Sequence, residues 1–215
     1  MERQAEASQV AAGGIALYGG SFNPIHNGHL IVARDVAERI GVSRVVLIPS
    51  ASPPHKQGRT DLAPAHHRLE MVKLAIEGEP LFTASEIEIQ RSGPSYTIHT
   101  VESYRASLPP ETPLYWIVGG DSLPELGTWF RARDLVDLCT IVTAVRPGYE
   151  QADLSPLQPT LRPDQVRRLQ ENVLPTSRID IAARTIRARV REGRSIRYLV
   201  PEAVRTYIEI NQLYR

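Results

Sequence analysis

Two histidines three residues apart, His26 and His29, sit in the run Gly19-Gly20-Ser21-Phe22-Asn23-Pro24-Ile25-His26-Asn27-Gly28-His29-Leu30. On a first helical turn, residues at that spacing share a face, so both imidazoles can reach the same bound group. Unpaired backbone N–H groups and the positive end of the helix dipole converge at such a start, which suits an anion such as phosphate. A lone histidine pair is more often structural, and a metal site would need more ligands. No nearby His, Cys, Asp or Glu cluster completes a ligand set, so no metal ligand is assigned. The histidines thus mark a nucleotide or phosphate site.

Positioning such a pair takes a strand, a turn and a helix. The apolar run Ile15–Tyr18 supplies the strand, Gly19-Gly20 the turn, and the amphipathic stretch from Gly28 to Ile40 the helix. Further strands are expected at Arg44–Ile48, Phe82–Ile89, Leu114–Val118 and Thr140–Val145, with a short one near Ile179–Ile181. Helices are expected at Pro64–Glu77, Thr97–Ser107, around Leu135, and at Asp164–Asn172, Thr185–Glu192 and Pro201–Leu213. A short helix could also open at Ser122-Leu123-Pro124-Glu125. This alternation predicts an α/β fold, a Rossmann-like doubly wound and mostly parallel sheet. Ligands of such a sheet bind beyond the carboxyl ends of its strands, where Gly19-Gly20, Pro49-Ser50, Gly119-Gly120-Asp121 and Arg146-Pro147-Gly148 should converge.

The 215 residues suffice for one substantial domain, read as residues 15–215 behind a disordered leader, 1–14. The loops at 49–60 and 151–163 carry the proline and glycine punctuation, and the first is expected to be extended and mobile. Lys and Arg number 25 against 24 Asp and Glu, a balance that argues against a nucleic-acid groove or a polybasic membrane surface. The exception is the basic stretch Arg184–Arg197, whose Ile186 and Val190 suggest a helix packed on one side and solvated on the other. Cys139 is the one cysteine, so no intrachain disulfide forms, and its apolar neighbours suggest a core thiol. With no signal-peptide pattern at the start and no apolar run of membrane-spanning length, the expectation is a cytoplasmic protein.

There is no G-x-x-x-x-G-K-[ST], which disfavours a P-loop enzyme, and no G-x-G-x-x-G after the first strand, which weakens a dehydrogenase reading. Histidines and backbone amides without an obvious protein nucleophile point to nucleotidyl transfer, which needs charge neutralisation and in-line positioning more than covalent help.

GGSFNPIHNGHL resembles the GG[TS]F[DN]PxHxGH signature of the HxGH-type nucleotidyltransferases. Five further segments are similar to those of the bacterial nicotinate-nucleotide adenylyltransferases. They are Ile48-Pro49 with Pro53-Pro54-His55-Lys56; Ser95-Tyr96-Thr97; Ile117 to Ser122 with Trp129; Val145-Arg146-Pro147-Gly148; and Tyr198-Leu199-Val200-Pro201. The resemblance implies adenylyl transfer from ATP to nicotinate mononucleotide, giving nicotinate adenine dinucleotide and pyrophosphate in NAD biosynthesis. It implies a nucleotidyltransferase fold, with His26 and His29 on the ATP phosphates and Gly19, Gly20, Ser21, Phe22 and Gly28 under the nucleotide. Asp121 would accept from ribose or adenine, or else cap a helix opening at Ser122. Asn23, Lys56, Thr97, Trp129 and Arg146 would contact the acceptor, Trp129 by stacking on the pyridine ring. Mg²⁺ would be held mainly by the ATP phosphates.

The chain departs from the family at one place. Where relatives carry a segment of the form I-S-S-T-x-I-R, it reads Ile181-Ala182-Ala183-Arg184-Thr185-Ile186-Arg187. Alanine can neither cap a helix nor donate to phosphate, and each lost contact costs on the order of 1–2 kcal/mol. Arg184 and Arg187 are expected to compensate on the ATP side. The alternatives are another acceptor, nicotinamide mononucleotide or phosphopantetheine, and a nucleotide-binding relative that no longer turns over.

Overall fold

Successive side chains along each central strand go to opposite faces of a single sheet, and both faces are buried. In β1 (Ile15–Gly20), Ile15 and Leu17 join one core cluster while Ala16 joins the other. In β2 (Arg44–Pro49), Val46 and Ile48 follow Leu17, and Val45 and Leu47 follow Ala16. β4 (Leu114–Gly119) and β5 (Thr140–Val145) repeat the alternation, which is why these strands read as near-continuous apolar runs. In a computed structural model of the chain, residues 13–53, 61–146 and 153–215 are described.

With β3 (Phe82–Ala84) and β6 (Val173–Pro175), the sheet has six strands in the order β3-β2-β1-β4-β5-β6, and every neighbouring pair is parallel. The order reverses between β1 and β4, the switch point at which a doubly wound sheet opens a crevice. One face carries α1 (Asn27–Ile40), α2 (Ala65–Ala75), α6 (Ala183–Arg191) and α7 (Glu202–Ile210), packed through residues such as Val36, Met71, Ile186 and Ile208. The other carries α3 (Thr97–Ser107), α4 (Ala132–Leu138) and α5 (Pro163–Glu171), packed through Ile98, Leu135 and Leu169. The expected α/β class is therefore observed, with the sheet wholly parallel.

Helix α1 ends at Gly41, whose φ of 71° is left-handed and whose N–H closes on the Ala37 carbonyl. That is the stop a C-terminal glycine makes easily.

Two expectations about strands fail. The run Phe82–Ile89 yields only β3, Phe82–Ala84; the Ser85 N–H still reaches Leu47, but then Gln90 N–H turns back to Glu86. That turn takes Glu88 inward, where it is 4% exposed and accepts from the Thr100 hydroxyl at 2.9 Å. The last strand is β6, Val173–Pro175, at the edge beside β5, and not Ile179–Ile181. A three-residue edge strand ending in proline carries almost no periodic signal. The turn after β4 also begins earlier than expected, as a single 3₁₀ turn over Gly120–Ser122.

Cys139 is buried and its thiol is pushed up to about 12 by desolvation, as a core cysteine would be. Among the described residues no helix is long and apolar enough to cross a membrane.

Candidate active site

The histidines stand where β1 hands over to α1. His26 is the N-cap of α1, with extended φ and ψ of −148° and 167°. Its Nδ1 accepts the His29 N–H at 3.3 Å, and His29 Nδ1 accepts the His26 N–H at 3.3 Å. This is the reciprocal bonding of a capping box, made here by two imidazoles in place of a hydroxyl and a carboxylate. The rings stack at 3.6 Å with 18° between their planes.

The chemical consequence concerns protons. With Nδ1 accepting a backbone amide, a neutral ring carries its hydrogen on Nε2. Burial lowers the His26 pKa to about 4, although its own backbone hydrogen bond acts the other way, so this ring is a neutral donor near neutral pH. Both histidines line a cleft of about 670 Å³. A phosphate bound in that cleft would accept from Nε2–H.

Glycine is needed beside them for space. A Cβ on Gly28 would lie 3.1 Å from His26 Nδ1 and 3.2 Å from Ile179 Cγ2. One on Gly19 would fall 2.4 Å from the Trp116 ring, which the sheet core already holds. Phe22 takes a left-handed φ of 42°, strained for a bulky residue, and packs edge-on against Tyr18 and His29.

The cleft runs over the switch point to Gly119, Gly120, Asp121 and Arg146 at the ends of β4 and β5. Asp121 and Tyr18 also line a second cavity of about 370 Å³, which Ser50, Glu88, Thr97, Trp116 and Trp129 help to close. Ser21 belongs to that cavity and to a third, of about 260 Å³, which Asn23, Ala182, Ala183, Arg184 and Arg187 surround. Three adjoining hollows therefore meet around the Gly19–His29 loop. The N-termini of α1, α3 and α6 open on the three of them respectively, each presenting N–H groups without intrahelical partners.

The structure brings together most of the residues singled out from sequence: His26, His29, Gly19, Gly20, Ser21, Gly28, Asp121, Thr97, Trp129, Arg146, Arg184 and Arg187 all line one of these hollows. Four details refine that picture. Asp121 lies inside its 3₁₀ turn and makes no cap; Gly119 is the N-cap, without a side-chain bond. Asn23 borders the third hollow, but its amide donates to the Asp61 carbonyl and accepts from the Ala63 N–H and the Tyr214 hydroxyl. Arg187 is buried, donating to the Asn23 carbonyl at 2.8 Å and pairing with Asp61 at 2.5 Å, while its Nε has no partner among the described residues. Arg146 reaches Asp180 at 3.5 Å from an exposed position. His55, Lys56, Pro147, Gly148 and most of the leader lie outside the described residues.

Sequence reasoning missed Arg68. Its guanidinium is fully buried and donates to three main-chain carbonyls: Ala63 at 2.8 Å, Ser21 at 2.8 Å and Ala51 at 3.3 Å. Those carbonyls belong to three loops that frame the site, so one side chain pins them together. Burial lowers its pKa, partly offset by Tyr214 and Glu88. Also unanticipated was the purpose of Tyr198-Leu199: their carbonyls accept from the Asn27 side chain at 2.8 Å and backbone at 3.0 Å, fastening the start of α1. The loop Thr176–Ala182 was missed as well; it supplies Thr176, Ser177, Ile179 and Ile181 to the large cleft.

Stacked imidazoles on a helix start, beside a switch-point crevice of a kind that suits an anion, fit the class of the nucleotidyltransferases. The cytidylyltransferase-like family model matches residues 17–195. A probable nicotinate-nucleotide adenylyltransferase of Thermus thermophilus is 41% identical over 203 residues, covering 94% of this chain and 99% of that protein. One of the same name from Dehalococcoides mccartyi is 40% identical over 200 residues, covering 92% and 95%. In fold, the chain is similar to the Plasmodium falciparum nicotinic acid mononucleotide adenylyltransferase complexed with NaAD, with a TM-score of 0.71, 19% identity, and 93% and 96% coverage. The chain thus belongs to the cytidylyltransferase-like family, and within it to the nicotinate-nucleotide adenylyltransferases.

Proposed function

We propose that this chain transfers the adenylyl group of ATP to nicotinate mononucleotide, yielding nicotinate adenine dinucleotide and pyrophosphate. The observation that carries the reading is the reciprocally capped pair His26–His29 facing a cleft that joins, at Asp121, a second cavity bounded by Thr97 and Trp129. The relatives' names supply the substrate class.

In this scheme an oxygen of the mononucleotide's 5′-phosphate attacks the α-phosphorus of ATP. A new P–O bond forms there as the bond to the bridging α,β-oxygen breaks, and pyrophosphate leaves with those electrons. The attacking oxygen is already anionic, so no general base is needed. His26 and His29 donate Nε2–H to the triphosphate, and the α1 N-terminus adds its partial charge. Arg184 and the first N–H groups of α6 face the phosphates from the third hollow, while Arg187, held by Asp61 and the Asn23 carbonyl, braces its wall. Asp121 accepts from the adenosine, Trp129 stacks on the pyridine ring, and the Thr97 end of α3 receives the nicotinate carboxylate.

In this reading the divalent ion arrives on the triphosphate. Mg²⁺ so held would neutralise charge on the departing pyrophosphate. Asp121 is the protein carboxylate nearest that role, being common to the two larger cavities.

A second reading, nucleotide binding without turnover, draws on Ala182, which caps α6 without any side-chain bond. One pyrophosphate-release assay with nicotinate, nicotinamide and phosphopantetheine acceptors separates the possibilities. Preferred turnover of nicotinate mononucleotide supports the proposal; preference for another acceptor, or ATP binding with no release, rejects it.

A further inference from the structure

The large cleft is walled on one side by the loop Thr176–Ala182. The loop's start is fixed to the sheet, where Thr176 donates to the Val145 carbonyl from its N–H at 2.8 Å and from its hydroxyl at 3.2 Å. Its end becomes the N-cap of α6. Between these points Ile179 and Ile181 face the cleft, and Ile179 sits against Gly28.

A hold on the middle of this loop comes from outside the cleft. Asp35, half-buried on α1, accepts the Ser177 N–H through Oδ2 at 2.6 Å. Its other oxygen takes Arg39 Nε at 3.0 Å. Viewed as sequence, Asp35 and Arg39 form an ordinary i,i+4 surface pair, worth little. The contact to Ser177 gives the aspartate a different role, since it spans 142 residues of chain and ties the wall of the cleft to the helix that carries both histidines. A charge-assisted bond at this length is among the stronger kinds. Against the desolvation that burial imposes, the Ser177 and Arg39 contacts hold the carboxyl below the usual aspartate range.

We infer that Asp35 is a positioning residue that sets the Thr176–Ala182 wall against the histidine helix, and thereby sets affinity for the nucleotide in the large cleft. The inference rests on the proposed reading that ATP occupies that cleft. Asp35 touches no substrate. Its effect is confined to one substrate because the loop lines the large cleft and not the Thr97–Trp129 cavity.

The test compares Asp35→Ala, Asp35→Asn and Arg39→Ala in the full chain. Asparagine retains an oxygen able to accept from Ser177, whereas alanine does not. Asp35→Ala is expected to raise the ATP KM about five- to tenfold, the loss of about one hydrogen bond, with kcat and the acceptor KM within about twofold. Titration of an ATP analogue in the absence of acceptor should show the same loss. Asp35→Asn, which keeps an acceptor without the charge, should fall between the parent and Asp35→Ala, and Arg39→Ala should stay within about twofold of the parent on both substrates. Amide exchange at Ser177 should accelerate most in the Asp35→Ala variant, a readout that is independent of turnover. Unchanged ATP affinity, an equal loss for both substrates, or an asparagine variant as impaired as the alanine one overturns the inference. Should the parent bind ATP but transfer nothing to nicotinate mononucleotide, the proposed reaction falls, while the titration still decides the role of Asp35.

Discussion

Replacing Gly28 with alanine isolates the contribution of the histidine geometry from that of the fold. Gly28 is the second residue of α1 and has a helical backbone, so the new side chain meets no conformational barrier. Alanine in place of glycine favours the helix by about 1 kcal/mol. The added Cβ, however, would lie 3.1 Å from Nδ1 and 3.2 Å from Cε1 of His26, and 3.2 Å from Ile179. The imidazole must shift by a few tenths of an ångström, which weakens the cap at the cost of about 1 kcal/mol. The two terms nearly cancel, so the melting temperature should stay within roughly 4 °C. Catalysis has no such cancellation. A displaced donor at the triphosphate is comparable to losing one charge-stabilising group, about 100-fold or more in kcat. Thermal melts with pyrophosphate-release kinetics measure both quantities. A variant that keeps turnover within about threefold of the parent would refute the claim that the His26 ring must sit where Gly28 lets it.

Three further outcomes are expected. His26 should titrate near 4 by NMR. Between that value and the ordinary 6.5 the unfolded chain binds the extra proton, so stability should rise with pH through this window, by about 3 kcal/mol in all; a His26 titration near 6.5 would contradict this. Ala182→Ser restores a capping hydroxyl at the start of α6, and should add about 1 kcal/mol of stability and lower the ATP KM several-fold in calorimetry and steady-state assays. Trp129→Ala should raise the acceptor KM about tenfold and leave the ATP KM unchanged, consistent with loss of one aromatic stack.

What was legible in the sequence was local. Ile15–Tyr18, the glycine pair and the amphipathic run from Gly28 each carry their own signal, and they compose the β1–α1 junction as observed. Ile179 and Ile181 show why a period of two can mislead: both do face one way, but onto the cleft and not into a sheet. Glu88 alternates correctly for a strand, yet its burial against Thr100 and near Arg68 depends on the chain turning after Ala84. Arg68 had no local mark at all. An arginine in the first turns of a helix reads as solvated, and only the closing of three distant loops around it supplies carbonyls for its guanidinium. Asn23 and Arg187 carried family positions, while their bonds to Asp61 and Tyr214 exist only in the folded chain.

The most direct measurement follows the adenylyl group itself. Purified protein is incubated with ATP labelled on the α-phosphate, Mg²⁺ and nicotinate mononucleotide, and the products are separated. Transfer through the His26–His29 site requires the label to appear in nicotinate adenine dinucleotide with unlabelled pyrophosphate in equal amount, and this to vanish in His29→Ala while the fold persists. Labelled dinucleotide formed as fast by His29→Ala, or none formed by a parent that binds both substrates, would contradict it.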